Sequence, residues 1–275
     1  MKYCITYDSS NANCKYLNEV DEILINYNRK DLTLLDFMLE HQEQRIIIMI
    51  TWEGDFLDNN CIEIFKHIHE SYPELNFAFC FWNIPDNEKL LKVVQDSELP
   101  FFFGNFVKDW DTLHYFKKFN PTDMYVTESL GFEIQKVAAV LAPAGIKVRC
   151  FPNVAQSAAE MECGLKTFFI RPEDVEKYSE YVDVLEFFGD SVHMDTYYKI
   201  YTKDKKWFGK LKEIIAGLKS DIDSRHIPEQ FADSRMNCGK RCLKGSGCKL
   251  CESVEALSAT LDRYENKVAE LKQNS

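Results

Sequence analysis

Long apolar runs, an excess of positive charge and an opening signal segment are all missing from this 275-residue sequence. No stretch stays apolar over the roughly 20 residues that a helix needs to cross a bilayer, which argues against a membrane-spanning protein. The net charge of -11 argues against a generally basic nucleic-acid binder. Since no hydrophobic segment opens the chain, we expect a cytoplasmic protein whose cysteines do not form structural disulfides.

Short apolar runs alternate with amphipathic stretches, which predicts strands followed by helices. Nine runs are predicted strands: Tyr3 to Tyr7, Glu22 to Tyr27, Arg45 to Thr51, Phe77 to Trp82, Phe101 to Val107, Met124 to Thr127, Lys147 to Phe151, Thr167 to Ile170 and Val184 to Phe188. Eight or nine such units predict an α/β fold, a parallel β/α barrel of the TIM type. The doubly wound alternative normally has a glycine-rich turn after its first strand, and residues 8–11 contain no glycine.

The predicted domains are a barrel over residues 1–220 and a C-terminal part over residues 221–275. Six apolar residues between Trp207 and Leu218 predict one face of a helix. The last segment repeats apolar residues at alternating spacings of three and four: Val254, Leu257, Leu261, Tyr264, Val268 and Leu271. This heptad pattern predicts a helix that either packs on the barrel or pairs with a second copy in a homodimer.

Four of the ten cysteines lie in one short stretch, MNCGKRCLKGSGCKLC, at residues 236–251. They are Cys238, Cys242, Cys248 and Cys251. Thiolates are soft ligands that favour zinc or iron-sulfur clusters, so the stretch predicts a Cys4 metal loop. The spacing C-x3-C-x5-C-x2-C is typical of neither zinc fingers nor ferredoxins, which leaves Zn²⁺ and a [4Fe-4S] cluster both open. A surface loop with free thiols or disulfides is the alternative.

In β/α barrels the functional residues lie where strands end and lead into helices. Glu128 and Glu186 are predicted catalytic carboxylates, because each ends an apolar strand and would need a partner or a proton. Arg171 is a third catalytic candidate, and Asn105 and Asn153 are substrate-binding candidates. Trp82 and Thr127 also fall at strand ends. The alternative is that such residues only cap helices or form turns.

Residues 199–249 carry 13 Lys and Arg against 6 Asp and Glu, a net charge of +7, so the rest of the chain sums to -18. This contrast would orient a polyanion such as RNA toward the basic segment. Lys240, Arg241 and Lys244 lie inside the cysteine loop and are candidate RNA contacts. A solvated charged face is the alternative, because no aromatic residue lies between Met236 and Cys251 to stack on a base.

Several stretches together resemble the peptidase U32 family of bacterial barrels. They are LPFFFGNFVKDWDTL from Leu99, MYVTESLGFEIQKVAAVLAPAGIKVRCFPNVAQS from Met124, the opening MKYCITYDSS with EILINYN, and IRPEDVEKY with LEFFGDSVHMDTYYKIY. The opening resembles the short members that act in anaerobic ubiquinone hydroxylation. The resemblance covers most of residues 1–202 by pattern rather than by an invariant motif.

This resemblance implies a β/α barrel that carries a [4Fe-4S] cluster on four cysteines. Members hydroxylate tRNA, ribosomal RNA or a quinone precursor, and some have been called collagenases, so peptidase activity is a further alternative. Family members place cysteines just after the strand that here ends at Phe151. This chain has Pro152 and Asn153 there and carries its four clustered cysteines near its C-terminal end, which keeps zinc open.

Two classes of function follow. The first is a metal-containing enzyme that hydroxylates RNA or a small aromatic substrate. The second is a non-enzymatic module in which zinc holds a basic segment that binds nucleic acid or protein. A brown protein purified without oxygen would favour the first class, and a colourless protein with one zinc per chain would favour the second.

Changing Cys248 to Ser tests whether the four cysteines share one centre. We expect Cys248→Ser to lose its metal, because closely packed thiolates repel one another unless a cation holds them. Metal content per chain, measured by mass spectrometry after anaerobic purification, gives the answer. Full metal retention in this variant would contradict a shared Cys4 site.

Overall fold

Eight parallel strands close into a barrel in the computed structural model, in the order β1 to β8 with β8 paired to β1. The structure describes residues 1–7, 15–26, 33–50, 59–82, 88–127, 132–153, 170–187, 191–218, 222–226 and 250–273. The strands are β1 Lys2–Tyr7, β2 Glu22–Asn26, β3 Arg45–Ile50, β4 Phe77–Phe81, β5 Phe101–Val107, β6 Asp123–Val126, β7 Lys147–Cys150 and β8 Val184–Phe187. The predicted TIM-like barrel is confirmed.

Helices follow most of the strands. They are α1 Leu34–Glu40, α2 Asn59–Ser71, α3 Glu88–Asp96, α4 Trp110–Lys117, α5 Ile134–Leu141, α6 Val175–Tyr178, α7 Ser191–Lys199 and α8 Leu250–Gln273. Single 3-10 turns lie at Ala142–Ala144, Pro172–Asp174, Leu211–Glu213 and Ser224–His226, and a π-helical turn at Ile200–Asp204 continues α7. The start of α4 has a typical N-cap residue, because the Asp109 side chain accepts a hydrogen bond from the N–H of Thr112 at 2.7 Å.

Eight of the nine predicted strands form the closed barrel. Strand β7 pairs directly with β8, with Arg149 opposite Val184 and Cys150 opposite Leu185, so no strand lies between them. Residues 167–169 themselves lie outside the described residues. The predicted strand from Thr167 to Ile170 is therefore not needed to close the barrel.

On β4 and β5, the aromatic side chains at alternate residues point outward from the barrel, toward the helices. Phe79 packs edge-on against Phe65 of α2 with ring centres 4.8 Å apart, and Phe103 packs against Phe116 of α4 at 5.2 Å. The residues between them point into the barrel, because side chains alternate across a strand. This alternation buries the rings between sheet and helices and leaves Cys80 and Phe102 facing the interior.

The chain divides into two compact units. The first comprises residues 1–127, 132–151 and 179–198 and contains all eight strands, and the second comprises residues 128–131, 152–178 and 199–275. The predicted boundary at residue 220 stays a prediction. None of the helices in the described part of the chain is both long and apolar enough to cross a bilayer.

The helix predicted between Trp207 and Leu218 is wrong. These residues, all described, contain a single 3-10 turn at Leu211–Glu213. The backbone N–H of Leu211 instead donates to the carbonyl of Ile222 at 2.8 Å, and Lys210 forms an antiparallel bridge with Asp223. Pairing with a distant segment has replaced helical hydrogen bonds, although Leu211 and most of its apolar neighbours are buried as expected.

The predicted C-terminal helix is present as α8, which spans 24 residues. Cys251 lies in its first turn, and nothing is described of that side chain. Cys238, Cys242 and Cys248 lie outside the described residues, as do Lys240, Arg241 and Lys244. The Cys4 metal loop and the RNA-contact residues therefore stay predictions.

Candidate active site at the carboxyl end of the barrel

Five charged side chains fill the amino-terminal half of the barrel, and we call them the interior ion cluster. They are Glu22, Arg45, Asp123, Arg149 and Glu186, and all are buried. Two guanidinium groups face three carboxylates there. TIM barrels usually fill this space with branched apolar side chains, so the cluster is a specific feature of this chain.

Arg149 on β7 lies at the centre of the interior ion cluster. Its Nη1 donates to Oε2 of Glu22 at 2.5 Å and to Oδ1 of Asp123 at 3.2 Å, while its Nη2 donates to Oε2 of Glu186 at 2.9 Å. Its guanidinium carbon also lies 5.0 Å from the ring centre of Phe102. Arg149 therefore contacts charge on three other strands and an aromatic face on a fourth.

Arg45 completes the interior ion cluster through a two-pronged contact. Its Nη1 and Nη2 donate to the two carboxylate oxygens of Asp123 at 2.9 and 2.7 Å. The hydroxyl of Thr122 accepts from Arg45 at 3.1 Å and donates to Asp123 at 2.6 Å. This planar pairing is the geometry in which arginine binds a carboxylate most specifically.

The protonation states in the cluster follow from these contacts. Burial alone would raise the pKa of Asp123, but hydrogen bonds from Arg45 and the charge of Arg149 hold that pKa well below its ordinary value. Burial alone would lower the pKa of Arg149, but Glu22 and other negative neighbours raise it well above its ordinary value. At neutral pH Asp123 is therefore ionised and Arg149 is charged.

Three aromatic rings cover the cluster on its carboxyl-terminal side. Tyr125 and Phe151 stack with ring centres 5.0 Å apart and planes 5° from parallel, and Phe106 lies 5.5 Å from Phe151. The Tyr125 hydroxyl donates to Oε2 of Glu186 at 2.7 Å. Burial, followed by the charge of Glu186, raises the pKa of Tyr125, so this hydroxyl keeps its proton. The hydrogen bond to Glu186 therefore holds the Tyr125 ring in place, and Phe151 stacks on that ring.

Strand β5 is irregular near its carboxyl end. Phe103 pairs with Met124, and the next paired residue, Phe106, lies opposite Tyr125, so Gly104 and Asn105 form a bulge. Such bulges turn side chains in new directions and are common beside active sites. Gly104 permits a close contact here, because an added Cβ would lie only 3.0 Å from Cε3 of Trp82.

Two buried oxygen atoms beside this bulge lack hydrogen bonds. Within the described part of the chain, neither Oδ1 of Asn105 nor Oγ1 of Thr127 has a hydrogen-bond partner. Thr127 follows the end of β6, the strand next to β5, and is itself buried. Trp82, which follows β4, is 43% exposed. Trp82, Asn105, Phe106, Thr127 and Phe151 thus occupy the carboxyl ends of four consecutive strands, and we call them the carboxyl-end cluster.

The predicted site residues are distributed between these features. Glu186 lies in the barrel interior, where it contacts Arg149 and Tyr125. Asn105 lies in the carboxyl-end cluster. Glu128, which follows Thr127 in the chain, lies outside the described residues, so its catalytic role stays a prediction, as does that of Glu186.

Arg171 and Asn153 belong to the second unit. The Nε of Arg171 donates to Oδ2 of Asp174 at 2.7 Å, at the start of a 3-10 turn. Asn153 is buried, and its carbonyl accepts from the N–H of Ala216 at 2.8 Å. These contacts give both residues a structural part, and their roles in catalysis and substrate binding stay predictions.

Sequence reasoning missed most of the interior ion cluster. Arg149 carried a usable signal, because a charged residue in the middle of the short buried strand KVRC requires partners of opposite charge. Glu22, Arg45 and Asp123 each begin a strand, where a charge is easily taken for a solvated end. Their convergence on Arg149 depends on strand register, which the sequence did not reveal.

Three cysteines in the described part of the chain are single buried thiols rather than a ligand set. Cys4, Cys80 and Cys150 lie in β1, β4 and β7 and are fully buried. Burial, followed by the charge of Glu186, raises the pKa values of Cys4 and Cys80. Because thiolates are the form that binds metal and attacks substrates, these two protonated thiols suit packing.

Another group in the second unit has metal-ligand chemistry. His226, Asp262 and Glu265 bring one ligand atom each within 4.8 Å of one another. Arg225 already lies 3.2 Å from Glu265, and Lys210 lies 3.9 Å from Asp262. These cations balance both carboxylates, so we interpret the group as an ion-pair contact that attaches α8 to residues 222–226.

No protein-family model matches this chain, and no curated protein matches it either. The resemblance to the peptidase U32 family therefore stays a prediction drawn from sequence pattern.

Changing Asp123 to Asn tests the interior ion cluster. We expect Asp123→Asn to lose about 3–5 kcal/mol of stability at pH 7, because two buried guanidinium groups lose a charged partner. The folded-state pKa of Asp123 is depressed, so its stabilisation is fully present above the unfolded-state pKa of about 3.9 and declines as pH falls toward the folded-state pKa. Urea unfolding at pH 7 and pH 3 measures both effects.

The control is Asp96→Asn, which makes the same chemical change at an exposed position of α3. We expect this control to keep wild-type stability at pH 7 and the wild-type loss on acidification. Asp123→Asn should lose less stability than the wild type between pH 7 and pH 3. An equal loss in the two proteins would contradict the assignment of an ionised Asp123.

Proposed function

We propose that this protein is a β/α-barrel enzyme that binds a small aromatic substrate at the carboxyl end of β4 to β7. The observation that carries the proposal is the buried hydroxyl of Thr127, which has no hydrogen-bond partner among the described residues. A buried polar group without a partner costs about 1–3 kcal/mol. Such a group in a native protein needs an explanation, and a polar ligand atom or a water molecule supplies one.

The position of this hydroxyl supports a functional explanation. Active sites of β/α barrels lie at the carboxyl ends of the strands, and Thr127 directly follows β6. Asn105 offers a second oxygen without a partner among the described residues on the neighbouring strand. An amide oxygen accepts hydrogen bonds and a hydroxyl both donates and accepts, so the pair suits a ligand that carries N–H or O–H groups.

The aromatic members of the carboxyl-end cluster support a planar substrate. Trp82 is partly exposed and packs closely over Gly104, which restricts the position of its ring. Phe106 and Phe151 add ring faces and edges beside Tyr125. Ring pairs contribute about 0.5–1.5 kcal/mol beyond the apolar area that they bury. A phenol, a hydroxybenzoate or an unstacked nucleobase has a ring together with O–H or N–H groups. Asn105 and Thr127 would accept hydrogen bonds from those groups.

Hydroxylation of an aromatic substrate or an RNA base is the reaction that we propose, in keeping with the resemblance to the peptidase U32 family. Cys238, Cys242, Cys248 and Cys251 form a donor set that suits a [4Fe-4S] cluster, which would supply redox chemistry, or Zn²⁺, which would hold the loop together. Glu128 is the candidate acid or base, because it directly follows Thr127. Glu186 is engaged by Arg149, so we assign it first to holding Tyr125 in place.

RNA is the proposed macromolecular substrate, and the local charge of +7 over residues 199–249 supports it. If Lys240, Arg241 and Lys244 contact phosphate, binding should weaken steeply as salt concentration rises. The alternative functions are a non-enzymatic zinc module that binds nucleic acid or protein, and a peptidase. A colourless zinc protein without substrate turnover would favour the non-enzymatic module.

Changing Thr127 to Val tests the proposed substrate site. We expect Thr127→Val to be as stable as the wild type or more stable, because the lost hydroxyl has no partner among the described residues. We expect the same variant to bind its aromatic ligand at least tenfold more weakly, about 1.4 kcal/mol, because the ligand loses a hydrogen bond. Thermal unfolding and ligand-detected NMR with phenols, hydroxybenzoates and nucleobases measure the two effects.

Thr122→Val is the matched control. The Thr122 hydroxyl bonds to Arg45 and Asp123 at the opposite end of the barrel, so its loss should destabilise the fold without changing ligand affinity. The two variants should therefore show opposite patterns. If Thr127→Val is strongly destabilised and binds ligand with wild-type affinity, the hydroxyl has a structural role and the proposed site is wrong.

A further inference from the structure

Phe208 is 71% exposed, more than any other large apolar side chain in the described part of the chain. Single exposed apolar residues are common on protein surfaces, but this one lies among positive charges. Residues 203–213 contain five lysines against two acidic residues, a net charge of +3. The basic segment 199–249 therefore includes an exposed aromatic ring, which the cysteine loop at residues 236–251 lacks.

Hydrogen bonds to Ser224 fix the backbone on both sides of Phe208. The Oγ of Ser224 donates to the carbonyl of Trp207 at 2.6 Å, and its backbone N–H donates to the carbonyl of Gly209 at 2.8 Å. A Cβ added to Gly209 would lie 2.9 Å from Cζ2 of Trp207, so the indole packs directly against this glycine. The ring of Phe208 thus projects from a fixed turn, and a fixed turn loses less entropy when it binds a partner.

Lysines lie on both sides of this turn in the sequence, and several carry exposed side chains. Lys205 and Lys206 precede the turn, Lys212 follows it, and all three are exposed. Lys205 lies 2.9 Å from the exposed carboxylate of Glu176. Exposed ion pairs of this kind are weak, so a phosphate can replace the carboxylate. The turn therefore combines an accessible ring with cations that suit a polyanion.

We propose that Phe208 stacks on an unpaired base of RNA while the neighbouring lysines contact the adjacent phosphates. This inference rests on the RNA substrate proposed above and adds the contact that would favour single strands. Aromatic side chains stack on bases that are free of a duplex, whereas bases inside a duplex already stack on one another. A protein partner would need a larger apolar patch than one ring among lysines provides.

Fluorescence anisotropy with a labelled oligoadenylate of about 12 nucleotides tests the proposal. We expect Phe208→Ala to raise the dissociation constant roughly tenfold or more, the size of one lost stacking contact, and Phe208→Tyr to bind like the wild type because it keeps the ring. Tyr264→Ala is the control, because it removes a comparably exposed ring from α8, and it should bind like the wild type. Both positions are exposed, so all variants should unfold within about 2 °C of the wild type.

Salt titration separates the ring from the lysines. Phe208→Ala removes no phosphate contact, so the slope of log affinity against log salt concentration should match that of the wild type. Lys206→Gln should make that slope shallower by about 0.7, the value for one phosphate of a single strand. The same oligoadenylate paired with oligouridylate is a duplex without free bases, so Phe208→Ala should leave the affinity for this duplex unchanged.

Three results would overturn the stacking contact. A wild type that binds the single strand in a salt-dependent manner, with Phe208→Ala binding equally well, contradicts stacking and leaves the proposed RNA substrate intact. A wild type that binds no RNA at about 50 mM salt contradicts both. Vesicles of phosphatidylcholine and phosphatidylserine give the third result: if the wild type binds them, Phe208→Ala does not, and neither binds RNA, the turn contacts a membrane surface instead.

Discussion

The burial of the Arg149 guanidinium inside a closed sheet is the constraint on which the rest of the barrel depends. Removing an ion from water costs several kcal/mol, so a cation is tolerated there only when carboxylates surround it. Glu22 on β2, Asp123 on β6 and Glu186 on β8 provide them. Because a slip of one residue turns every side chain of a strand to the other face, these pairings also select the register of three strands relative to β7. Since buried ion pairs often add little net stability, we infer that the cluster serves mainly to select one strand register.

The two ends of the barrel differ in how their polar side chains are paired. Near the amino ends of the strands the charged side chains pair with one another, which suits them to a structural role, and within the described residues only the Nε of Arg149 among their buried side-chain nitrogen and oxygen atoms has no hydrogen-bond partner. Near the carboxyl ends, the β5 bulge at Gly104 and Asn105 interrupts the regular pairing with β6, and the buried side-chain oxygens of Asn105 and Thr127 have no hydrogen-bond partner among the described residues. The stacked rings of Tyr125 and Phe151 lie between the two ends. Paired charges at the amino ends and buried oxygens without described partners at the carboxyl ends support the proposed binding site, because such a site needs a well-packed base.

The strands could be predicted because each forms a continuous apolar run, such as residues 45–51, and that signal is local. The same local signal failed at residues 207–218, where helical spacing was overridden by pairing with residues 222–224. For the candidate site, Asn105 and Thr127 could be found from their places at strand ends. The convergence on Arg149 could not, since it brings together residues up to 127 positions apart and depends on how the strands align. The sequence indicated which polar residues end the strands, but it did not indicate how distant strands align.

The three cysteines sealed in the barrel wall have a practical consequence. Cys4, Cys80 and Cys150 are shielded completely, and a thiol must reach solvent as thiolate before an alkylating reagent can modify it. Their rate of modification therefore reports how often β1, β4 and β7 open, strand by strand, under native conditions. Alkylation of these three thiols therefore measures barrel opening, with one cysteine on each of three separate strands.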